Sequence, residues 1–132
     1  QHVCRWKLAR KDYPTGLNGY LTWRTDLAKL HADILADAMR VSGYDDASIE
    51  RASNIIQKKK LKKDPDAQTL EDVSCLVFLS YYFDSFANKH SDEKVIDIVQ
   101  KTGGKMSDKA HQSALSIDLP THLHRLVEKA LA

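Results

Sequence analysis

The chain of 132 residues lacks the features that define several special classes of protein. Its two cysteines are too few for a disulfide framework, so we expect a reducing compartment and an intracellular, cytoplasmic location. Its longest apolar run, from Cys75 to Leu79, is far shorter than the ~20 residues that a membrane span needs. Twenty basic and eighteen acidic residues leave a net charge of +2, which is too small to indicate nucleic acid. We therefore expect no membrane partner and no nucleic-acid partner.

One basic run departs from this even balance of charge. Residues 58–63 contain five lysines, and two acidic residues follow closely, at Asp64 and Asp66. Such a run is able to bind nucleic acid or an acidic partner. Cations at the end of a helix also match the negative C-terminal end of the helix dipole. We favour this second interpretation, a solvated helix end.

Strand patterns are also missing, because no stretch alternates apolar and polar residues. Apolar residues recur instead with the helical period of about 3.6. Residues 1–9 have the pattern of a helix end, and complete helices are predicted over 20–42, 46–59, 67–88, 92–102, 107–114 and 120–131. Asp45 or Asp46 is expected to cap the second complete helix, Ser107 the fifth, and Pro120 is expected at the first position of the last.

These helices predict one all-α domain over residues 1–132, a single bundle of about six helices. The chain does not begin with methionine, and no capping residue precedes the helix pattern of residues 1–9. We therefore expect the chain to be the C-terminal portion of a longer protein, with the N-terminal part of the fold missing.

Three polar residues, His2, His31 and Asp72, lie on predicted apolar helix faces. Burying a carboxylate is costly unless it is paired, hydrogen-bonded or bound to a metal. Two histidines and an aspartate from three helices of a bundle would suit a divalent metal ion. The alternative is that each of them is a core residue whose hydrogen bonds are satisfied within the protein.

Basic residues lie close to two of these candidates. Arg5, Arg10 and Arg24 belong to the first two predicted helices and the loop between them. Guanidinium groups bind phosphate oxygens in pairs, so these arginines are candidates for a phosphate site beside a metal. The alternative is that they form ion pairs with nearby acidic residues, namely Asp12, Asp26 or Asp33.

A resemblance to a known family extends over nearly the whole chain. The residues that carry it are Gln1-His2, Arg5-Trp6, Arg10, Tyr13-Pro14, Gly19-Tyr20, Trp23-Arg24, Leu27, His31-Ala32, Leu70-Glu71-Asp72-Val73, Cys75-Leu76-Val77-Phe78-Leu79, Lys101-Thr102 and Lys105-Met106-Ser107. This pattern resembles the domain-of-unknown-function family 4202, which implies no particular activity.

Some members of that family carry the label of a glutamyl-tRNA synthetase. Lys105-Met106-Ser107 is similar to part of the ATP-binding loop of class I aminoacyl-tRNA synthetases. The second motif of those enzymes, His-x-Gly-His, is absent from the sequence, which argues against that label.

The order His2, His31, Asp72 is also distantly similar to the His-Asp phosphohydrolase superfamily, whose helical domains bind a divalent metal through histidines and aspartates. Ala32 stands where that family has the aspartate of its His-Asp pair, and Glu71 is a carboxylate that could replace it. The resemblance implies a metal bound by His2, His31 and Asp72, with Asp72 and Glu71 as catalytic residues.

The leading hypothesis is then a metal-dependent phosphohydrolase acting on a small phosphorylated metabolite or nucleotide, with Arg5, Arg10 and Arg24 holding the phosphate. The metal would polarise the phosphate and lower the pKa of a bound water. The alternative is a non-catalytic helical binding or assembly module derived from such an enzyme. In that module the metal site is degenerate, as Ala32 indicates.

Overall fold

The structure, a computed structural model, describes residues 2–132. Within that range the chain forms helices and no strand, so the all-α prediction is confirmed. The α-helices are α1 Gly16–Val41, α2 Asp46–Ile56, α3 Pro65–Val77, α4 Phe83–Ala87, α5 Asp92–Gly103, α6 Asp108–Leu115 and α7 Thr121–Leu131. The chain divides into two compact units, Gln1–Lys60 and Leu61–Ala132. The assignment of the whole chain to a single domain stays a prediction.

The first unit is built on the long helix α1, which packs against α2. Trp23, Leu27 and Ala32 of α1 are buried together with Ile49 of α2. Asp45 caps α2 by accepting a hydrogen bond from the Ser48 backbone N–H, which confirms the first of the two predicted caps.

The segment before α1 contradicts the helix end predicted over residues 1–9. It forms two short 3₁₀ turns instead, Arg5–Lys7 and Arg10–Asp12, and Gln1 lies outside the described residues. The physical reason is that its carbonyl oxygens accept hydrogen bonds from side chains of α1. Val3 O bonds to His31 and Leu8 O bonds to Trp23. The predicted helix face through His2 therefore does not form.

A close approach of the segment to α1 explains one glycine. A Cβ atom placed on Gly19 would lie 1.8 Å from the carbonyl oxygen of Pro14, which is far inside contact distance. Gly19 is itself buried in the first two turns of α1. Only a residue without a side chain lets the backbone at Pro14 pass this close to the helix.

In the second unit, the predicted helix 67–88 is present but is not a uniform α-helix. A π-helical segment, Phe78–Tyr82, joins α3 to α4. The buried residues of this continuous rod follow each other at intervals of four: Ala67, Glu71, Cys75, Leu79, Phe83 and Ala87. On an α-helix each four-residue step drifts by about 40° around the axis. A π turn has more residues per turn, so it compensates part of that rotation. The buried residues therefore continue to face one core.

The remaining helices of the second unit confirm the predicted ones with small shifts at their ends. Ser107 caps α6 by accepting from the Ala110 backbone N–H, as predicted. Pro120 is the residue before α7 rather than its first residue. Val95 and Val99 of α5 and Val127 of α7 are fully buried in the same core as Phe83.

The lysine run, predicted to be a solvated helix end, lies beyond the end of that helix in the structure. Helix α2 ends at Ile56, and residues 57–63 form turns in which Lys58 and Lys60 have φ angles of 54° and 55°. The run is therefore a connection of turns, with two residues in the left-handed backbone region, rather than the last turn of a helix. None of the helices in residues 2–132 is long and apolar enough to cross a membrane.

Candidate anion-binding site

The guanidinium group of Arg5 is held in place by two side chains of the first unit. Its guanidinium carbon lies 4.7 Å from the centroid of the Trp23 ring, which makes a cation–π contact. One of its nitrogens, Nη1, donates to Nδ1 of His2 at 3.1 Å. Trp23 is itself buried and donates from Nε1 to Leu8 O at 2.7 Å. The indole therefore contacts the guanidinium of Arg5 through its ring and the segment that carries Arg5 through its N–H group.

His2 lies in a basic environment. Burial lowers the pKa of its ring, and the neighbouring basic side chains of Arg5, Arg24 and His31 lower it further. The neutral ring accepts the hydrogen bond from Arg5 on Nδ1. Because the side chains acting on this ring are basic, the position favours an anion and disfavours an additional cation.

Arg24 lies one helical turn from Tyr20 on α1 and is half-buried. Within residues 2–132 no hydrogen-bond or ion-pair partner holds its guanidinium. Asp26, one of the acids considered as an ion-pair partner for the arginines, accepts a hydrogen bond from Tyr13 Oη at 2.8 Å. That bond raises the pKa of Tyr13. Arg24 therefore keeps hydrogen-bond donors that a ligand can use.

Arg10, predicted as a third phosphate contact, is engaged with backbone. Its Nη1 donates to Tyr13 O at 3.2 Å and to Pro14 O at 2.8 Å, and its Nη2 donates to Gly16 O at 3.4 Å. These bonds fix the loop that leads into α1. They make Arg10 a positioning residue here, while its contact with phosphate stays a prediction.

His31, predicted as a metal ligand, is buried and lies 2.8 Å, measured from Nε2, from the carbonyl oxygen of Val3. A carbonyl only accepts, so the ring donates from Nε2. The contact ties α1 to the residues immediately before Arg5. His31 therefore helps to hold His2 and Arg5 beside the helix.

Asp72, the third predicted metal ligand, belongs to the second unit. Its carboxylate accepts from Ser107 Oγ at 2.6 Å, from Ser107 N at 2.9 Å and from Gln68 Nε2 at 2.9 Å. Burial raises the pKa of Asp72, but the hydrogen bonds from Ser107 and Gln68 outweigh it and lower the pKa overall. These bonds stabilise the charged carboxylate and fasten the start of α6 to α3.

The same anchorage accounts for the motif that resembles a synthetase loop. Gln68 Nε2 also donates to Lys105 O at 2.8 Å, Met106 is buried, and Ser107 caps α6 while bonding to Asp72. Lys105-Met106-Ser107 thus forms a helix start attached to α3. Met106 and Ser107 therefore have structural roles through their side chains, and Lys105 contributes its backbone carbonyl oxygen.

Glu71, the other predicted catalytic carboxylate, is buried on α3. The Cys75 thiol donates to its Oε1 at 3.8 Å. In the part of the chain that the structure describes, no three His, Cys, Asp or Glu side chains form a group that could hold a metal ion. The metal ligands His2, His31 and Asp72 stay predictions.

Two aromatic residues of this site were not predicted. Trp23 supports Arg5, and the Tyr20 ring lies with its centroid 5.9 Å from that of Trp23. Their three-residue spacing on a predicted helix could have indicated that the two rings lie together, because residues at this spacing are neighbours on the helix surface. The contact between Arg5 and Trp23 had no such signal, because it depends on the irregular segment before α1.

The helices and the absence of strands within residues 2–132 define the chain as an all-helical protein with a basic, aromatic surface in its first unit. Residues 1–127 match the model of the family described as Domain of unknown function (DUF4202), and the chain belongs to that family. Neither a curated protein nor a solved structure matches the chain.

Proposed function

We propose that the first unit is a non-catalytic binding module for a small phosphorylated molecule, held by Arg5, Arg24 and His2. The observation that supports this most directly is the concentration of positive charge at His2. Arg5 and Arg24 both act on this ring. A phosphate group placed there would neutralise that charge.

The geometry favours phosphate recognition through Arg5 in particular. Its guanidinium is already held over Trp23, so it loses little side-chain freedom when a ligand binds. A guanidinium binds phosphate oxygens with two parallel hydrogen bonds. Arg24 supplies a second guanidinium from the regular backbone of α1. Together they would hold one phosphate from two different elements of the same unit.

The surroundings of His2 do not fit a divalent metal. Nδ1 accepts from a guanidinium, and the further charges acting on the ring are basic. A metal ion bound there would lie close to Arg5 and be repelled by it. The binding module, which was the alternative to a phosphohydrolase, is therefore the proposal that these contacts favour.

The test is isothermal titration calorimetry of the whole chain with ribose 5-phosphate, with and without added Mn²⁺. We expect binding without metal. We expect Arg24→Ala and Arg5→Ala each to weaken it about 10- to 100-fold, which corresponds to the ~1.5–3 kcal/mol of a hydrogen bond to a charged group. Arg24→Lys should restore part of the affinity because it restores the charge.

Arg40→Ala is the matched control. Arg40 lies near the other end of α1 and pairs with Asp37 on the surface at 2.8 Å. Its removal changes the net charge as much as Arg24→Ala does, but should leave the affinity within about twofold of the unmodified chain. If Arg24→Ala and Arg40→Ala weaken the affinity equally, the effect comes from the net charge of the chain. That result would contradict the proposed site.

The same titrations separate the two functional hypotheses. Binding that requires Mn²⁺ and is accompanied by release of inorganic phosphate, with both lost in His31→Ala, would favour the metal-dependent phosphohydrolase. Absence of binding by the whole chain at millimolar ribose 5-phosphate, with and without Mn²⁺, would reject both hypotheses.

A further inference from the structure

We infer that the ligand of this site is a nucleoside monophosphate, whose base stacks on the exposed ring of Tyr20 while its phosphate meets Arg5 and Arg24. The inference rests on the proposed function and adds a chemical class of ligand to it. It is carried by an aromatic surface directly beside the two cations.

Tyr20 offers a ring face that the fold does not use. Its side chain is 45% exposed, although it belongs to the same helix as the buried Trp23. The two ring centroids are 5.9 Å apart, with the ring planes tilted by 54°. Trp23 therefore supports the Tyr20 ring from one side and leaves the rest of it open to solvent.

Each of the two cations adjoins one member of this aromatic pair. Arg5 covers the Trp23 ring at 4.7 Å. Arg24 follows Tyr20 by four residues on α1, which makes the two side chains neighbours on the helix surface. Helical side chains lean towards the N-terminus, so Arg24 extends over the turn that carries Tyr20. A ligand with one anionic end and one flat end matches this arrangement.

A nucleoside monophosphate has that shape, since a sugar separates its phosphate from a planar base. Bases stack on aromatic side chains largely without regard to their identity, because every base has a π face. A sugar phosphate has the anionic end alone. The stacking of one base corresponds to roughly 5- to 150-fold in affinity. Comparing the two ligands therefore isolates the aromatic half of the site.

The experiment measures the dissociation constants of AMP and ribose 5-phosphate for the whole chain by calorimetry. We expect AMP to bind at least about fivefold more tightly. Tyr20→Ala should bring the ratio of the two constants close to one by weakening AMP alone. Tyr20→Phe should keep the ratio, because the ring remains. Tyr44→Ala, at a 58% exposed tyrosine of the same unit, should leave the ratio unchanged.

Each outcome has a distinct meaning. Equal affinities for AMP and ribose 5-phosphate in the unmodified chain would overturn the nucleotide inference and leave the phosphate site standing. Equal effects of Tyr20→Ala and Tyr44→Ala on AMP would also overturn it. Failure of both ligands to bind would reject the proposed function itself. Circular dichroism of each variant confirms that a lost affinity does not come from a lost fold.

Discussion

At the scale of single residues, Asp72 shows how a carboxylate on an apolar helix face is accommodated. The sequence allowed two explanations, a metal ion or satisfied hydrogen bonds. The structure provides three hydrogen bonds, from Ser107 Oγ, Ser107 N and Gln68 Nε2. A charged acceptor with three donors needs no cation to be stable in a half-buried position.

This environment makes the stability of the chain depend on Asp72 and on pH. The pKa of the folded-state carboxyl is lowered, so its contribution to the free energy of unfolding is present above the unfolded pKa of ~3.9. The contribution is lost as the pH falls through the lower folded-state pKa. We expect Asp72→Asn to reduce the free energy of unfolding by about 1.5–3 kcal/mol at pH 7. Urea denaturation should show this difference shrinking below pH ~4.

Asp118→Asn provides the matched control, because Asp118 is an exposed acid of the same unit. Its effect should remain within about 0.5 kcal/mol at either pH. A deficit in Asp72→Asn that stays constant down to the lowest pH at which the chain is folded would contradict the assignment to the ionised carboxylate.

Residue identities predicted local contacts better than distant ones. Asp45 and Ser107 were recognised as helix caps because a cap bonds to a backbone N–H only a few residues away. The partners of Arg5 and Asp72 were not recognised, because Trp23 and Ser107 lie 18 and 35 positions away in the chain. Spacing rules for helices do not extend to contacts between elements.

At the scale of elements, the rod from Pro65 to Ala87 was predicted as one helix, and its π-helical segment was missed. Apolar spacing of three or four residues is expected of any amphipathic helix. Buried residues spaced by four at every step, as from Ala67 to Ala87, differ from this mixed spacing. Each step of four turns the next residue further around the axis in the same direction, so the displacement accumulates. The sequence shows residues at this interval, but it does not show that these residues, rather than their neighbours, are the buried ones.

The π segment predicts an unusual tolerance to deletion. Removing the exposed Ser80 converts the π turn into an ordinary α turn without rotating α4 away from the core. We expect the Ser80 deletion to fold with its helix content unchanged and a Tm lowered by less than about 8 °C, which corresponds to roughly 2 kcal/mol for a chain of this size. Thermal melts followed by circular dichroism measure both quantities.

The matched comparison is deletion of Val73, which is also exposed but belongs to the regular part of α3. Loss of one residue there turns Ala67 and Glu71 by about 100° relative to Cys75 and Leu79. This variant should lose its cooperative transition. Similar melts for the two deletions would show that the π segment is not what absorbs the extra residue.

At the scale of the whole molecule, the chain consists of two helical units whose sequence boundary falls at Lys60 and Leu61. The sequence predicted a single bundle, because no proline-, glycine- or serine-rich linker separates two parts. The boundary lies instead in the lysine run, where Lys58 and Lys60 occupy the left-handed backbone region. Lysine has no special preference for that region, so composition gave no indication of a boundary.

Limited digestion with trypsin should reveal this boundary. The backbone of residues 57–63 forms exposed turns with several lysines, whereas most other basic residues lie within helices. Local opening controls such cleavage. We expect the first cut within residues 58–63, detected by mass spectrometry as two complementary fragments.

The exposed lysines of the N-terminal segment, Lys7 and Lys11, are an internal control. They also lie in turns, but the contacts of Trp23 with Leu8 O and of Arg10 with Pro14 O hold their backbone. A first cut at Lys7 or Lys11 would contradict the view that these contacts fix the segment. It would also weaken the proposed site, which needs Arg5 held in place.

Three of the contacts that hold this segment share one property. His31, Trp23 and Arg10 all bond to main-chain carbonyl oxygens rather than to side chains of the segment. Every amino acid carries that oxygen, so Val3 or Leu8 can be exchanged without removing an attachment. We therefore expect that mutational libraries can change the exposed side chains of the segment while its backbone keeps its path along α1. A redesign of the surface of the segment can begin there and leave these three side chains unaltered.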